Sequence, residues 1–270
     1  MTVFEPVDPL SLTALMVEPR ASGTGLASAT AFVVGAHDRY WLVTNYHVLT
    51  GRHTETNRLL SSHGAIPDSI VIWHHSAHAR EGQGVWTMRT ENLFTADGSP
   101  RWAQHPRFCI KDQENTNEPN IDVVVLPLDR VDERILIYPM DLTLAETEMQ
   151  VSPGLPISII GYPFGLTGAA LFPIWKTGHI ASDPNAFWSP RHFLVDATTR
   201  SGMSGSPVVF RSAGWYERHP GVLEPGFPVR LMGVYSGRIR VDAEIGRVWH
   251  AALIREIIDH AVRTATEKGA

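Results

Sequence analysis

Residues 198–209, TTRSGMSGSPVV, set Ser204 between Gly202 and Gly205. Glycine loses the most backbone freedom on folding, so two of them around one hydroxyl indicate an unusual chain path. Two local structures fit. One is a tight turn ahead of the strand-like SPVVF. The other is a turn that aims two backbone N–H groups and a hydroxyl at one point, an oxyanion hole beside a nucleophile. A serine hydroxyl is a weak nucleophile near neutral pH and needs a base, and the base needs a group to hold it. Two other stretches supply them. LVTNYHVLTG puts His47 at the end of an apolar strand, just before a turn at Gly51, and NIDVVVLPL puts Asp122 at the start of a very apolar strand. An imidazole takes the serine proton during attack and later gives it to the leaving amine. A carboxylate on the other ring nitrogen fixes its tautomer and stabilises the imidazolium. The N–H groups of Gly202 and Ser204 would bind the oxyanion. Taken singly, His47 also reads as a satisfied core histidine and Asp122 as a turn residue after NEPN. An ionisable group that opens a buried strand is costly unless paired, however, and His47 is the natural partner.

The elements that must carry these residues are mostly strands. TAFVVG, YWLVTNYHVL, SIVIWHH, DVVVLPL, PISIIGYP, HFLVDAT, SPVVF and LMGVYSG are short, rich in β-branched and aromatic residues, and bounded by Gly, Pro, Asp or Asn. This spacing predicts an all-β sandwich or barrel. Helical periodicity is convincing once, in HAALIREIIDHAVRTATEK from His250, where Leu253, Ile254, Ile257, Ile258 and Val262 recur at three and four. That C-terminal amphipathic helix should dock on a barrel. KDQENTNEPN (111–120) reads as an exposed loop. The chain divides in the connection near 140–150, giving units of 1–145, with His47 and Asp122, and 146–270, with Ser204 and the helix.

Composition narrows the function classes. At 270 residues and 43% hydrophobic, the chain can bury a sizeable core. A net charge of −5 gives no basic face for nucleic acid and no polybasic membrane anchor. Cys109 is the single cysteine, so no intrachain disulfide forms. The N-terminus lacks a basic start followed by an apolar core and cleavage site, and no run of apolar residues is long enough to span a bilayer. A cytoplasmic protein is expected.

The order His47, Asp122, Ser204 is that of the chymotrypsin-type barrels. The α/β-hydrolases run Ser, Asp, His around G-x-S-x-G, and the subtilisins start with Asp. GTGLASATAFVVG, LVTNYHVLTG, IDVVVLPL, IIGYPFG and SGMSGSPVV follow one another along nearly the whole chain. In these five motifs the chain resembles the trypsin-like (chymotrypsin-fold) serine peptidases, in their bacterial, disulfide-free branch related to HtrA-type catalytic domains. The resemblance implies two six-stranded Greek-key β-barrels with the site in the cleft between them, and endopeptidase chemistry through an acyl-enzyme on protein or peptide substrates. It implies no cofactor and no metal. No PDZ-like extension follows the catalytic domain, so a chaperone role of the HtrA type is not expected.

Two departures qualify the resemblance. Met203 stands where many relatives carry Asn or Asp, so activation through an ion pair at that position is not expected. Ser206 replaces the commoner Gly. For the specificity pocket, the resemblance places Thr198 at the base with Thr199 beside it. It assigns Ser236, Gly237 and Arg238 to the wall, and the 235–237 strand to pairing with the substrate backbone. Thr198 carries no charge, which argues against selection of Arg or Lys. Arg238 either recognises an acidic side chain or is a solvated or salt-bridged strand residue that narrows the pocket.

Other candidates carry less. His74, His75 and His78, with Cys109 as a conceivable fourth, look like metal ligands, but their spacing fits no zinc motif, and neighbouring residues of a strand face opposite ways. Cys109 has no His or Asn motif to make it a nucleophile and reads as a small buried residue. Trp73, Trp86, Trp102, Trp175, Trp188 and Trp249 read as core and loop packing. A functional alternative from another class is a catalytically silent barrel pair that binds peptides or a partner protein. Within the enzyme class, a narrow processing protease and a general one share the same sequence features.

Overall fold

Runs of apolar residues in the first half of the chain fold into strands buried on both sides. In the computed structural model, residues 7–78, 85–107, 120–129, 132–185, 191–239 and 242–269 are described. Cys109, Trp188 and residues 111–119 lie outside them. A one-turn helix α1 (Pro9–Thr13), capped by the Asp8 carboxylate, leads into β1 (Ala14–Ala21). Then come β2 (Thr24–Gly25), β3 (Ala29–Ala36), β4 (Arg39–Thr44) and the short helix α2 (Tyr46–Thr50). The half is completed by β5 (Ser69–Ser76), β6 (Trp86–Asn92), β7 (Ala103–Gln104), β8 (Val124–Leu128) and β9 (Ile135–Leu136).

These strands form one nine-stranded antiparallel sheet in the order β6-β5-β1-β3-β4-β8-β7, with β2 added to β1 and β9 to β5. β3 and β4 are joined by His37 (φ 51°) and Asp38 (φ 56°). Two positive φ angles in a two-residue link make a type I′ turn, whose twist matches that of the strands it joins. Side chains alternate across the sheet. Ala31 and Val33 face a core with Leu42, Val124 and Leu126, whereas Phe32 and Val34 face the opposite way with Trp41, Val43 and Val125.

The second half builds β10 (Pro156–Gly161), β11 (Ile174–Ile180), β12 (His192–Asp196), β13 (Pro207–Arg211), β14 (Gly214–His219), β15 (Val222–Gly226), β16 (Val229–Arg238) and β17 (Ile245–His250). Six of them close a barrel in the order β10-β11-β12-β17-β16-β13, while β14 and β15 form a separate hairpin. Ile159, Phe193, Val195, Val208 and Val248 fill the barrel.

The helix α3 (Ala252–Gly269) follows. It begins after the expected start at His250, because His250 is still paired with Gly233 in the barrel. Leu253, Ile254, Ile257 and Ile258 are buried in one cluster with Phe32, Trp41 and Val125 of the sheet and with Ile160, Leu231 and Trp249 of the barrel. The helix therefore seals the seam between the two halves. Full burial of such a side chain contributes about 1.5–3 kcal/mol. Ile257→Ala should lower unfolding free energy by about 2–5 kcal/mol, read by chemical denaturation, because it opens a cavity in this shared cluster.

Candidate active site

The site starts where β4 stops. Sequence reasoning put His47 on the strand, but the strand ends at Thr44 and His47 lies in α2. Asn45 makes the change of direction. Its Nδ2 donates to the Asp122 carbonyl at 2.6 Å, tying the turn to the residue ahead of β8. Gly51, in the left-handed region at φ 62°, ends α2 and donates its N–H to the His47 carbonyl at 3.0 Å. The helix turn thus presents the imidazole to the buried end of the neighbouring strand.

Asp122 is only 3% exposed. Its Oδ2 lies 2.7 Å from His47 Nδ1 and accepts from Ser236 Oγ at 2.9 Å, while Oδ1 accepts from the His47 N–H at 3.1 Å. Burial disfavours the carboxylate charge, but the His47 ring and these donors more than offset it and hold Asp122 below its ordinary pKa. Burial would likewise push His47 down. The Asp122 charge and its hydrogen bond win, and His47 sits above the ordinary 6.5. A neutral ring with Nδ1–H directed at Asp122 leaves Nε2 as a proton acceptor.

The serine turn is built on the two glycines. Gly202 (φ 96°) and Gly205 (φ 86°) adopt the left-handed region, and both lie against backbone. A Cβ on Gly202 would fall 2.1 Å from the Tyr162 carbonyl oxygen, and one on Gly205 would fall 2.0 Å from that of Thr30. No other residue type fits either position. Thr30, at the start of β3, holds the turn from the far side. Its N–H donates to the Ser204 carbonyl at 2.9 Å and its Oγ1 to the Gly202 carbonyl at 2.7 Å. The same oxygen accepts from the Tyr162 N–H at 3.1 Å.

The peptide between Ser201 and Gly202 is oriented too, because the Phe164 N–H donates to the Ser201 carbonyl at 2.5 Å. In a trans peptide the N–H points opposite to the C=O. The Gly202 N–H therefore points away from Phe164. Among the described residues, neither the Gly202 nor the Ser204 N–H has an acceptor. Gly202, Ser204 and His47 line one cleft. No hydrogen bond joins Ser204 Oγ to the imidazole. Met203, the departure between the glycine and the serine, is fully buried in the barrel core with Phe193 and Val208.

Of the residues assigned to a specificity pocket, Ser236, Gly237 and Arg238 line one cleft with His47 and Asp122, and Thr198 and Thr199 do not. Thr198 is exposed, and Thr199 is buried with its hydroxyl hydrogen-bonded to that of Tyr235. Tyr235, which sequence reasoning did not single out, is 1% exposed and fills the space left by Gly246. Ser236 turns to Asp122. Gly237 (φ 103°) brings backbone beside Ser204, since a Cβ there would lie 3.9 Å from Ser204 Oγ. Arg238 is salt-bridged to Glu244 at 3.4 Å. Thr30, Tyr162, Phe164 and Tyr235 were missed because their part is played through backbone contacts or distant hydroxyls.

The histidine-rich stretch does not converge. His74 is buried, with burial and Arg89 pushing it down to about 4, and neither ring nitrogen has a protein partner. His75 faces the other way, with Nε2 3.1 Å from the Leu12 carbonyl and its ring 4.5 Å from Trp86, and His78 is exposed. Among the described residues no three His, Cys, Asp or Glu side chains are grouped to hold a metal.

Thr30→Val keeps the shape of Thr30 but strips the Gly202 carbonyl and Tyr162 N–H of their buried partner. Denaturant titration should show a loss of about 1–3 kcal/mol. Thr30→Ser, which retains the hydroxyl, should recover most of it.

A family model described as trypsin-like peptidase domain matches residues 29–214. That span includes His47, Asp122, the serine turn and both glycines. No curated protein matches. Solved structures similar to this chain include the serine endoprotease from Yersinia pestis, at 14% identity over 96% of this chain and 68% of that one, with a TM-score of 0.49. Another is Rv3671c from M. tuberculosis H37Rv in a mutant, inactive form, at 15% identity over 96% of each chain, with a TM-score of 0.43. The family match spans well over half of the chain, which belongs to the trypsin-like peptidases and is a serine protease.

Proposed function

We propose that the protein hydrolyses peptide bonds through an acyl-enzyme, with Ser204 as nucleophile, His47 as general base and acid, and Asp122 orienting His47. The observation that carries this reading is the buried Asp122–His47 pair opening onto the same cleft as Ser204 and two backbone N–H groups without acceptors. Ser204 Oγ attacks the carbonyl carbon of the scissile bond as His47 Nε2 takes its proton. The negative charge passes to the carbonyl oxygen, which the Gly202 and Ser204 N–H groups receive. Asp122 stabilises the imidazolium without taking the proton. When the intermediate collapses, the C–N bond breaks and His47 protonates the departing amine. Water then attacks the acyl-enzyme with the same base, restoring Ser204 and releasing the acid. No cofactor enters this scheme.

The missing hydrogen bond between Ser204 and the ring favours one second reading, a silent barrel pair that binds peptides. In resting enzymes this contact is often long and tightens only when substrate is bound. Labelling with a fluorophosphonate separates the two. Wild type should be labelled and Ser204→Ala should not. A folded wild type that stays unlabelled and leaves a peptide library uncut would support the binding module.

Two kinetic outcomes follow from the electrostatics. Catalysis needs the neutral ring, and Asp122 raises the His47 pKa, so kcat/KM should fall with decreasing pH along a limb centred above 6.5. Asp122→Asn removes the charge that holds the ring and should lower kcat by about 10⁴-fold, measured on any peptide that wild type cleaves.

A further inference from the structure

A cavity of about 370 Å³ lies where the connection between the two halves, β16 and the start of α3 meet. It shares no lining residue with the clefts beside His47 and Ser204, so it stands apart from the proposed catalytic machinery. Its apolar wall is formed by Leu142, Ala145, Val151, Leu231 and Met232. Hydrogen bonds fix the surrounding chain. Thr147 Oγ1 donates to the Val229 carbonyl at 2.9 Å, and the Ala251 N–H donates to the Met232 carbonyl at 3.1 Å. The cavity is therefore built before any ligand arrives, and its volume falls within the usual range of small-molecule pockets.

The charged side chains on its wall are paired, with one exception. Arg255 Nη2 lies 3.7 Å from Glu146 Oε1, Glu256 accepts from Arg191 at 2.6 Å, and Asp259 Oδ1 lies 2.7 Å from His37 Nε2. Arg230 is the exception. Its Nη1 donates to the Met149 carbonyl at 2.9 Å, and among the described residues no carboxylate pairs with it. The guanidinium is half-buried, and that burial depresses its pKa. A cation that gives up water without meeting an anion is costly, and an anionic ligand would remove the cost. His250 stands on the same wall. Burial first, and then the Arg230 charge, hold its ring below the ordinary 6.5, so it is neutral near pH 7. Its ring lies 5.4 Å from that of Phe193, and neither nitrogen has a hydrogen-bond partner among the described residues.

We propose that this cavity binds an apolar monocarboxylic acid, with its carboxylate on Arg230 and His250 and its apolar body against Leu142, Val151 and Met232. The inference does not depend on the reading of Ser204. A guanidinium offers a carboxylate parallel N–H bonds, and a neutral imidazole donates one more. The carboxylates of Glu146, Glu256 and Asp259 border the same cavity and repel a phosphate dianion more strongly than a single negative charge. A free aliphatic acid presents the required chemistry, and so does the C-terminal residue of a peptide that ends in an apolar side chain.

The test is titration of the full chain, followed through the methyl signal of Met232 by NMR. Hexanoate should give a shift that saturates by about 10 mM, and hexanamide, which lacks the charge, should bind about tenfold more weakly. Inorganic phosphate should give no shift. Comparison of N-acetyl-leucine with hexanoate distinguishes the two sources, the tighter of them naming the peptide end or the free acid. Arg230→Met keeps an apolar stem, removes the charge and should weaken hexanoate by about tenfold. Ala252→Asp sets a carboxylate in the first turn of α3, where acidic residues favour a helix, so it tests the site even if Arg230→Met fails to fold. It should weaken hexanoate several-fold. Hexanamide binding as well as hexanoate would overturn the proposal. So would unchanged hexanoate affinity in either folded variant, phosphate binding tighter than hexanoate, or the absence of any saturable shift in wild type.

Discussion

A carboxylate with almost no solvent contact must be surrounded by donors or lose its charge. Asp122 meets that constraint with elements drawn from both halves of the molecule. The His47 N–H and ring come from the turn after β4, and the Ser236 hydroxyl comes from β16 of the barrel. The Asn45 side chain grips the Asp122 backbone and turns the chain from strand into helix at the required place. One buried charge therefore sets the direction of a strand end, the orientation of an imidazole and the approach of the second half. The apolar seam sealed by α3 keeps those elements at fixed distance.

The serine turn is held by a separate set of contacts that crosses the same seam. Thr30 belongs to the sheet, yet it bonds to the carbonyls of Gly202 and Ser204 on the barrel side. Phe164 claims the Ser201 carbonyl. With carbonyl groups of the turn tied inward, the N–H groups of Gly202 and Ser204 remain for an anion, which is what electrostatic preorganisation demands. Met203 fits this picture. Where an acidic residue would require an ionic partner, a buried thioether anchors the turn through packing in the barrel core.

Much of this was legible in the sequence because the constraints leave local marks. Buried strands appear as apolar runs, the serine turn as two glycines, and the order of three polar residues as a topology. The expected strands fall on β3, β4, β5, β8, β10, β12, β13 and β16, whereas β1, β6, β11, β14, β15 and β17 and the two-residue β2, β7 and β9 escaped notice. β1 carries Glu18, Pro19 and Arg20, β11 carries Lys176 and His179, and β17 carries Arg247. Their pairing is supplied by neighbours rather than by their own periodicity, as when Pro19 lies opposite Ile70. The local path at His47 escaped for a related reason, since the strand-like LVTNYHVL is broken by an Asn45 contact with a residue far along the chain. Ser236 lines the cleft beside His47, and what its motif does not show is that its hydroxyl turns to Asp122. Thr30 and Tyr235 act through partners 172 and 36 positions away, respectively, and no local pattern announces them.

Titration of His47 by nitrogen-detected NMR, in wild type and in Asp122→Asn, tests the buried pair most directly. With the carboxylate in place the ring should titrate above 6.5 and show a protonated Nδ1 when neutral. Without it, burial alone should bring the midpoint down. Equal midpoints in the two proteins, or a neutral wild-type ring protonated at Nε2, would contradict a carboxylate that holds and charges the imidazole.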